Sequence, residues 1–221
     1  MGTGPRTRPL KVVTLNDKSD KVVRFDLFER LNTGGVSLSS QEIRDCVYQG
    51  PFAEKLDELA AIPDFRTVVN LTSRQMKDGT IEECVLRFFA FLERYKRFDH
   101  SVTEFLNEYM EHASKHFETT REREFRRVFK ELRKCFPAGI SRPGRKGKTP
   151  LNLYEGISVG AALALRKNHR LKSANLQTWL GSEELRNLTT GATNNRSAVT
   201  GRIEFCRDRF LGVPYVRRAK E

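Results

Sequence analysis

Four helix-start signals of one kind recur along this chain of 221 residues. Each is a capping box, a Ser or Thr followed three positions later by Glu, whose side chains satisfy backbone N–H groups that the start of a helix leaves free. The boxes begin at Ser39, Thr80, Ser101 and Thr119. Apolar residues follow them at intervals of three and four, the spacing of one buried helix face. The pattern therefore predicts a mainly α fold.

Further helical patterning extends this prediction to a helical bundle of about eight or nine helices. It covers residues 20–31, the stretch after Gly50-Pro51, and the ranges 151–167, 174–188 and 197–211.

One strand candidate precedes the helices. Lys11–Leu15 (KVVTL) is short and β-branched, and a lone strand needs a neighbour to satisfy its backbone groups. We therefore predict a loose N-terminus with this strand over 1–18, a helical domain over 19–212, and a basic tail over 213–221.

The positive charge is concentrated in the second half of the chain. Residues 1–100 contain 16 Lys/Arg and 15 Asp/Glu, whereas residues 101–221 contain 24 and 13, so the second half carries +11 of the net +12. Such asymmetry indicates a surface for the phosphates of nucleic acid or of an anionic membrane, and a solvated helical surface is the alternative.

Two basic segments are the candidates for DNA binding. One is the polar face of the helix over 119–136, and the other is the glycine-containing loop over 137–150, which a disordered surface loop would equally explain. The candidate cations are Arg123, Arg126, Arg127 and Lys130 on the helix, and Arg142, Arg145, Lys146 and Lys148 in the loop.

Two polar turns have the composition of phosphate sites. Glycines and amides beside a helix terminus expose N–H groups to an anion, although an ordinary glycine C-cap or a plain N-cap at Asn195 or Ser197 has the same composition. The first turn ends the stretch 24–35, and the second turn covers 190–197.

The sequence supplies no catalytic set and no metal ligands that we can assign. It contains no phosphate-binding G-x-x-x-x-G-K-[ST], no G-x-G-x-x-G and no G-x-S-x-G motif. The four cysteines are far apart, and His112 and His116 lack a third ligand of the right kind nearby. No apolar run approaches the roughly 20 residues of a membrane span. We expect a cytoplasmic protein without a membrane partner.

Four separated motifs carry a family resemblance. The stretch VRFDLFERLNTGGVSLSSQEIRDCVYQGPF at 23–52 is similar to a signature in the N-terminal domain of GmrSD-type modification-dependent restriction enzymes, of the ParB/sulfiredoxin-related superfamily. The likeness continues, in the right order, through CVLRFFAFLERY (84–95), FLNEYM (105–110) and TTGATNNRSAVTGRIEFCRDRF (189–210).

The resemblance implies a phage-defence, DNA-processing context. In that family an α/β portion bears a D-G-Q-Q-R-type motif associated with nucleotide hydrolysis, and an HNH-type domain usually cuts the DNA. This sequence contains neither motif, and its strand candidate matches the last strand of a truncated α/β portion. The resemblance also implies phosphate contacts in both polar turns, and it places the first turn near the missing nucleotide site. The residues that match the family are Arg30, Asn32, Gly34 and Gly35 in the first turn, and Gly191, Asn194 and Arg196 in the second.

We therefore expect a non-catalytic fragment or split subunit of a GmrSD-like system. Its basic second half would bind DNA or a partner chain, and its N-terminal strand would pair with a partner or support self-association. One alternative is half of a two-piece nucleotide-dependent nuclease, which would use a nucleoside triphosphate and a divalent metal if a partner supplies the missing half. The other alternative is a purely structural protein-interaction module. No cofactor is expected for the chain alone.

Overall fold

The computed structural model describes residues 21–31, 37–145 and 147–215, which form eleven α-helices and one 3₁₀ turn and no β-strand. The prediction of a mainly α fold is thereby confirmed. The helices are α1 (Lys21–Leu31), α2 (Ser40–Val47), α3 (Pro51–Ala60), α4 (Pro63–Val68), α5 (Thr80–Arg94), α6 (Val102–His116), α7 (Thr119–Cys135), α8 (Leu151–Lys167), α9 (Leu176–Leu180), α10 (Glu183–Thr189) and α11 (Arg196–Leu211), with the 3₁₀ turn at Tyr95–Arg97.

Two of the four predicted capping boxes act as helix caps. Ser39 accepts from the Glu42 backbone N–H at 3.1 Å, and the Glu42 carboxylate accepts from the Ser39 N–H at 2.7 Å, so the cap of α2 is reciprocal. Ser101 caps α6 with its side-chain oxygen. α5 and α7 begin at Thr80 and Thr119 themselves, so these threonines lie inside their helices and are not caps.

The predicted number of helices is too small, for two local reasons. The range 174–188 contains two helices, because Ser182 accepts from the Leu185 N–H and starts α10 directly after α9 ends. α4 was not predicted, because its six residues are too few to show a helical period. The strand predicted at Lys11–Leu15 lies outside the described residues.

Aromatic rings join α4, α5 and α7 in the core. Phe125 and Phe129 of α7 have ring centroids 4.4 Å apart, and Phe65 of α4 and Phe88 of α5 contact them at 4.8 Å and 5.2 Å. All four rings are fully buried. This cluster fixes α7 with its opposite, cationic face toward solvent.

α8 and α11 approach each other unusually closely. A Cβ placed on Gly160 would lie 2.7 Å from both the backbone nitrogen of Arg207 and the Cβ of Cys206, so glycine is required at this contact. The close approach brings Arg202 of α11 against Glu155 of α8. In the described ranges no helix is both long enough and apolar enough to cross a membrane.

Candidate phosphate-binding surface

Three exposed cations lie along one face of α7. Arg123, Arg127 and Lys130 follow one another at intervals of four and three residues, which places them on the same side of the helix. None of the three has a carboxylate within ion-pair distance among the residues that the structure describes. We call these residues the α7 stripe.

The other cations of α7 form ion pairs with carboxylates. One of them is Arg126, which the sequence predicts as a DNA-binding residue. An exposed ion pair leaves a cation with less capacity to attract a second anion. The pairs are Arg121 with Glu93, Arg126 with Glu122, Arg133 with Asp64, and Lys134 with Glu131. The α7 stripe is therefore the part of the helix with uncompensated charge.

The basic loop that follows α7 is fixed at its base. Ile140 donates its backbone N–H to the Val68 carbonyl at 2.8 Å, and Thr149 donates its own to the Asn70 carbonyl at 2.8 Å. The Thr149 hydroxyl also accepts from the Asn70 N–H at 2.9 Å. The loop thus has an ordered base, while Arg145 and Lys148 are exposed. The predicted Lys146 lies outside the described residues.

Arg142 ties this loop to the second polar turn. Its Nη2 donates to the Thr189 carbonyl at 3.1 Å, to the Thr189 hydroxyl at 2.8 Å and to the Thr190 hydroxyl at 3.0 Å. Two of the segments that the sequence singles out, the loop and the turn, are therefore adjacent in space. This contact was not predictable from their spacing along the chain.

The predicted residues of the second turn have different surroundings. Gly191 is exposed with a φ of 81°, and Asn194 is exposed. Arg196 donates its Nε to the Phe98 carbonyl at 3.0 Å, which holds the start of α11 against the 3₁₀ turn. Asn195 accepts from the Ala198 N–H at 2.9 Å, so the N-cap that the sequence allows at this position is confirmed.

The first turn is distant from this region in the chain and mostly outside the described residues. Arg30 is exposed and pairs with Asp26 on its own helix at 3.0 Å. Asn32, Gly34 and Gly35 lie outside the described residues.

The surroundings of α1 are acidic rather than basic. A cavity of about 620 Å³ lies between α1, α2 and α6, and its lining includes five carboxylates. These are Asp26, Glu29, Glu104, Glu108 and Glu111. Such a cavity repels phosphate, so the described structure separates an acidic region around α1 and α6 from the cationic surface of α7 and the loop.

Sequence reasoning missed a buried chain of alternating charges that supports the second turn. Arg44 and Arg87 both bind Glu83, with nearest contacts of 2.9 Å and 2.7 Å, and Glu155 binds both Arg87 and Arg202. Four of the five side chains are at most 12% exposed, and Glu83 is 15% exposed. We call these five residues the buried ion chain.

The buried ion chain ends at the second turn. Arg202 donates Nη1 to the Thr193 carbonyl at 2.8 Å, and the Thr193 hydroxyl accepts from Asn152 at 2.6 Å. The sequence carried one signal for this arrangement. Glu155 is the only charged residue in the stretch 151–165, and a lone charge in an apolar helix needs a partner when it is buried.

Mutual pairing sets the ionisation of the chain. Burial lowers the pKa of Arg44, despite the nearby Glu83 carboxylate. Burial alone would raise the pKa of Glu83, but Arg87 and Arg44 outweigh it and hold that pKa below its usual range. For Arg87, burial would lower the pKa, and Glu83 and Glu155 together raise it instead. The carboxylate of Glu83 therefore stays ionised at pH values below the usual pKa of a glutamate side chain.

Among the described residues, no group of three or more His, Cys, Asp and Glu side chains is arranged to hold a metal ion. Comparisons with family models, with curated proteins and with solved structures found no match. The resemblance to GmrSD-type enzymes therefore stays a prediction from the motifs.

Proposed function

We propose that this chain binds DNA through the α7 stripe and the neighbouring loop cations Arg145 and Lys148, as a non-catalytic subunit of a GmrSD-like restriction system. The observation that carries the proposal is the set of exposed cations on α7 that have no carboxylate partner in the described structure. Cations of this kind bind phosphate by releasing counterions, without a prior ion pair to break.

The dimensions of the α7 stripe suit a DNA backbone. At about 1.5 Å of rise per residue, seven residues separate Arg123 from Lys130 by about 10 Å along the helix. Along the axis of B-DNA one strand rises about 3.4 Å per phosphate, so the stripe covers the axial rise of about three phosphates. α7 leads directly into the loop, so the two loop cations extend the positive surface beyond the end of the helix.

The salt dependence of DNA binding tests this proposal. Five phosphate contacts predict that log K falls with log salt with a slope of about −4.5. The variant Arg123→Gln/Arg127→Gln/Lys130→Gln should reduce the slope to about −2, because three contacts are lost. Fluorescence anisotropy with a duplex oligonucleotide, repeated at several salt concentrations, measures both slopes.

A control of equal charge separates a specific surface from the net charge. The variant Arg30→Gln/Lys55→Gln/Lys115→Gln also removes three positive charges, all outside α7 and the loop. Arg30 pairs with Asp26 and Lys115 with Glu111, while Lys55 pairs with Glu58 and with Glu122 of α7. Glu122 keeps its pair with Arg126 in this variant. It should keep a slope close to that of the wild type. An equal reduction of the slope in both variants would refute the assignment of DNA binding to the α7 stripe. No binding at low salt would refute DNA binding altogether.

The non-catalytic part of the proposal has its own test. The chain alone, given a nucleoside triphosphate, Mg²⁺ and plasmid DNA, should neither release phosphate nor cut the plasmid. Activity that appears when a protein with the D-G-Q-Q-R motif is added would favour the two-piece nuclease instead.

Light scattering of the full chain and of a variant without residues 1–18 tests whether the Lys11–Leu15 strand supports self-association.

A further inference from the structure

A separate cavity lies where the basic loop meets α9 and α10. Its volume is about 470 Å³, within the range of ligand pockets in proteins. Three arginines line it, together with one threonine and two apolar residues. These are Arg142, Arg145, Arg186, Thr190, Pro143 and Leu180. Arg186, which the sequence analysis did not single out, is contributed by α10.

Arg142 is held in place before any ligand binds. Three hydrogen bonds to oxygens of the second turn all use its Nη2. Its Nε and Nη1 form no hydrogen bond with the described residues, so both remain able to donate to a ligand. An arginine that is fixed in this way loses less side-chain entropy when it binds an anion.

The cavity has an excess of positive charge. No Asp or Glu is among the residues that line it, and within the described part of the chain neither Arg145 nor Arg186 has an ion pair. Partial burial and then the nearby charges of Arg186 and Arg145 lower the pKa of Arg142, so both of these guanidinium groups lie close enough to repel that of Arg142. A bound anion would remove this repulsion.

We propose that this cavity binds the terminal phosphate of a DNA strand. A phosphate monoester carries about −1.5 to −2 charges near neutral pH, whereas each phosphodiester of the backbone carries one. Three converging arginines match the higher charge of the terminal group, and Arg guanidinium groups bind phosphate oxygens in bidentate geometry. The apolar side of the cavity is available to the adjoining sugar. The proposal deepens the proposed function and rests on it, because DNA is the source of the phosphate.

The test compares two duplexes that differ in their ends alone. One carries phosphate at all four strand ends, and the other carries hydroxyl groups there. The wild type should bind the phosphorylated duplex about tenfold more tightly, since charged hydrogen bonds from Arg142 and Arg186, which are not among the proposed backbone contacts, are gained. Fluorescence anisotropy at fixed ionic strength measures the ratio of the two affinities.

Two variants locate the effect. Arg145→Gln/Arg186→Gln removes two exposed cations of the cavity without touching the core, and should reduce the affinity ratio to about one. Lys55→Gln/Lys115→Gln lowers the net charge equally at residues already paired to carboxylates, and should keep the ratio. Thermal unfolding with inorganic phosphate, against chloride at equal ionic strength, should show stabilisation of the wild type that the cavity variant lacks.

The outcomes separate this proposal from the proposed function. Equal binding of both duplexes by the wild type would overturn the terminal-phosphate pocket and leave DNA binding intact. A preference that survives in Arg145→Gln/Arg186→Gln would overturn the assigned location. Failure of both duplexes to bind at low salt would overturn DNA binding together with the DNA source of the phosphate.

Discussion

Replacing Glu155 by Gln tests the buried ion chain most directly. The carboxylate lies between Arg87 and Arg202, and it is 1% exposed. The change keeps the shape of the side chain and removes its charge. Arg87 retains Glu83, but Arg202, which is fully buried, retains the Thr193 carbonyl as its hydrogen-bond acceptor and no carboxylate in the described structure.

The expected cost follows from this geometry. Removing one partner of a buried ion pair costs about 3–5 kcal/mol, because an uncompensated charge stays buried. We expect Glu155→Gln to lower the free energy of unfolding by about 4 kcal/mol. This is a large fraction of the total free energy of unfolding of a domain, which is roughly 5–15 kcal/mol. The matched control is Glu124→Gln, which breaks the exposed pair with Arg166 and should cost about 1 kcal/mol or less.

Urea unfolding followed by the fluorescence of Trp179 measures both values, since this residue is the single tryptophan and is buried. The double variant Glu155→Met/Arg202→Met should be less destabilised than Glu155→Gln, because no charge is left unpaired between these positions. A loss of about 1 kcal/mol or less for Glu155→Gln would refute the reasoning, since it would mean that the charges are well solvated.

Three further predictions follow from other sites. Burial, aided by nearby carboxylates, raises the pKa of Asp45 to about 6. The folded state therefore binds more protons than the unfolded state between about pH 4 and 6, and it loses stability as the pH rises through that window. This change in pKa corresponds to about 3 kcal/mol in full, and solvent screening of the half-buried carboxyl reduces it. Asp45→Asn should therefore gain about 1 kcal/mol at pH 7 and almost nothing below pH 4, by urea unfolding. Gly160→Ala should lower the free energy of unfolding by about 1–3 kcal/mol or more, because its Cβ meets backbone atoms of α11, and calorimetry would show the lower Tm. A thiol reagent should modify exposed Cys46 rapidly, and buried Cys84 and Cys206 after unfolding, as tracked by peptide mass spectrometry.

The helical fold was largely predictable because its signals are local. Apolar spacing and hydrogen-bonding side chains at helix starts act within one or two turns, so the sequence identified α2 and α6 together with their caps. α4 escaped prediction because six residues show no period, and the junction of α9 and α10 escaped because Ser182 was not recognised as a cap.

The sequence identified the cations of the candidate site, but it did not predict which of them are paired or which segments meet in the fold. The sequence supplied Arg123, Arg127 and Lys130, but which cations of α7 are already paired depends on neighbours such as Asp64 and Glu93. The contact of Arg142 with the second turn joins positions 47 residues apart, and such pairings follow from packing rather than from local pattern.

The alternation of charges in the buried ion chain also constrains how this protein can evolve. Five residues on four helices, three arginines and two glutamates, alternate in charge from Arg44 to Arg202. Replacing Glu83 alone leaves Arg44 without its counter-charge, and replacing Glu155 alone leaves Arg202 without its own, whereas replacing a whole pair by apolar residues removes the conflict. Descendants of this sequence should therefore replace Glu83 or Glu155 only together with a neighbouring arginine, so that the region carrying the second turn drifts more slowly than the exposed surface around it.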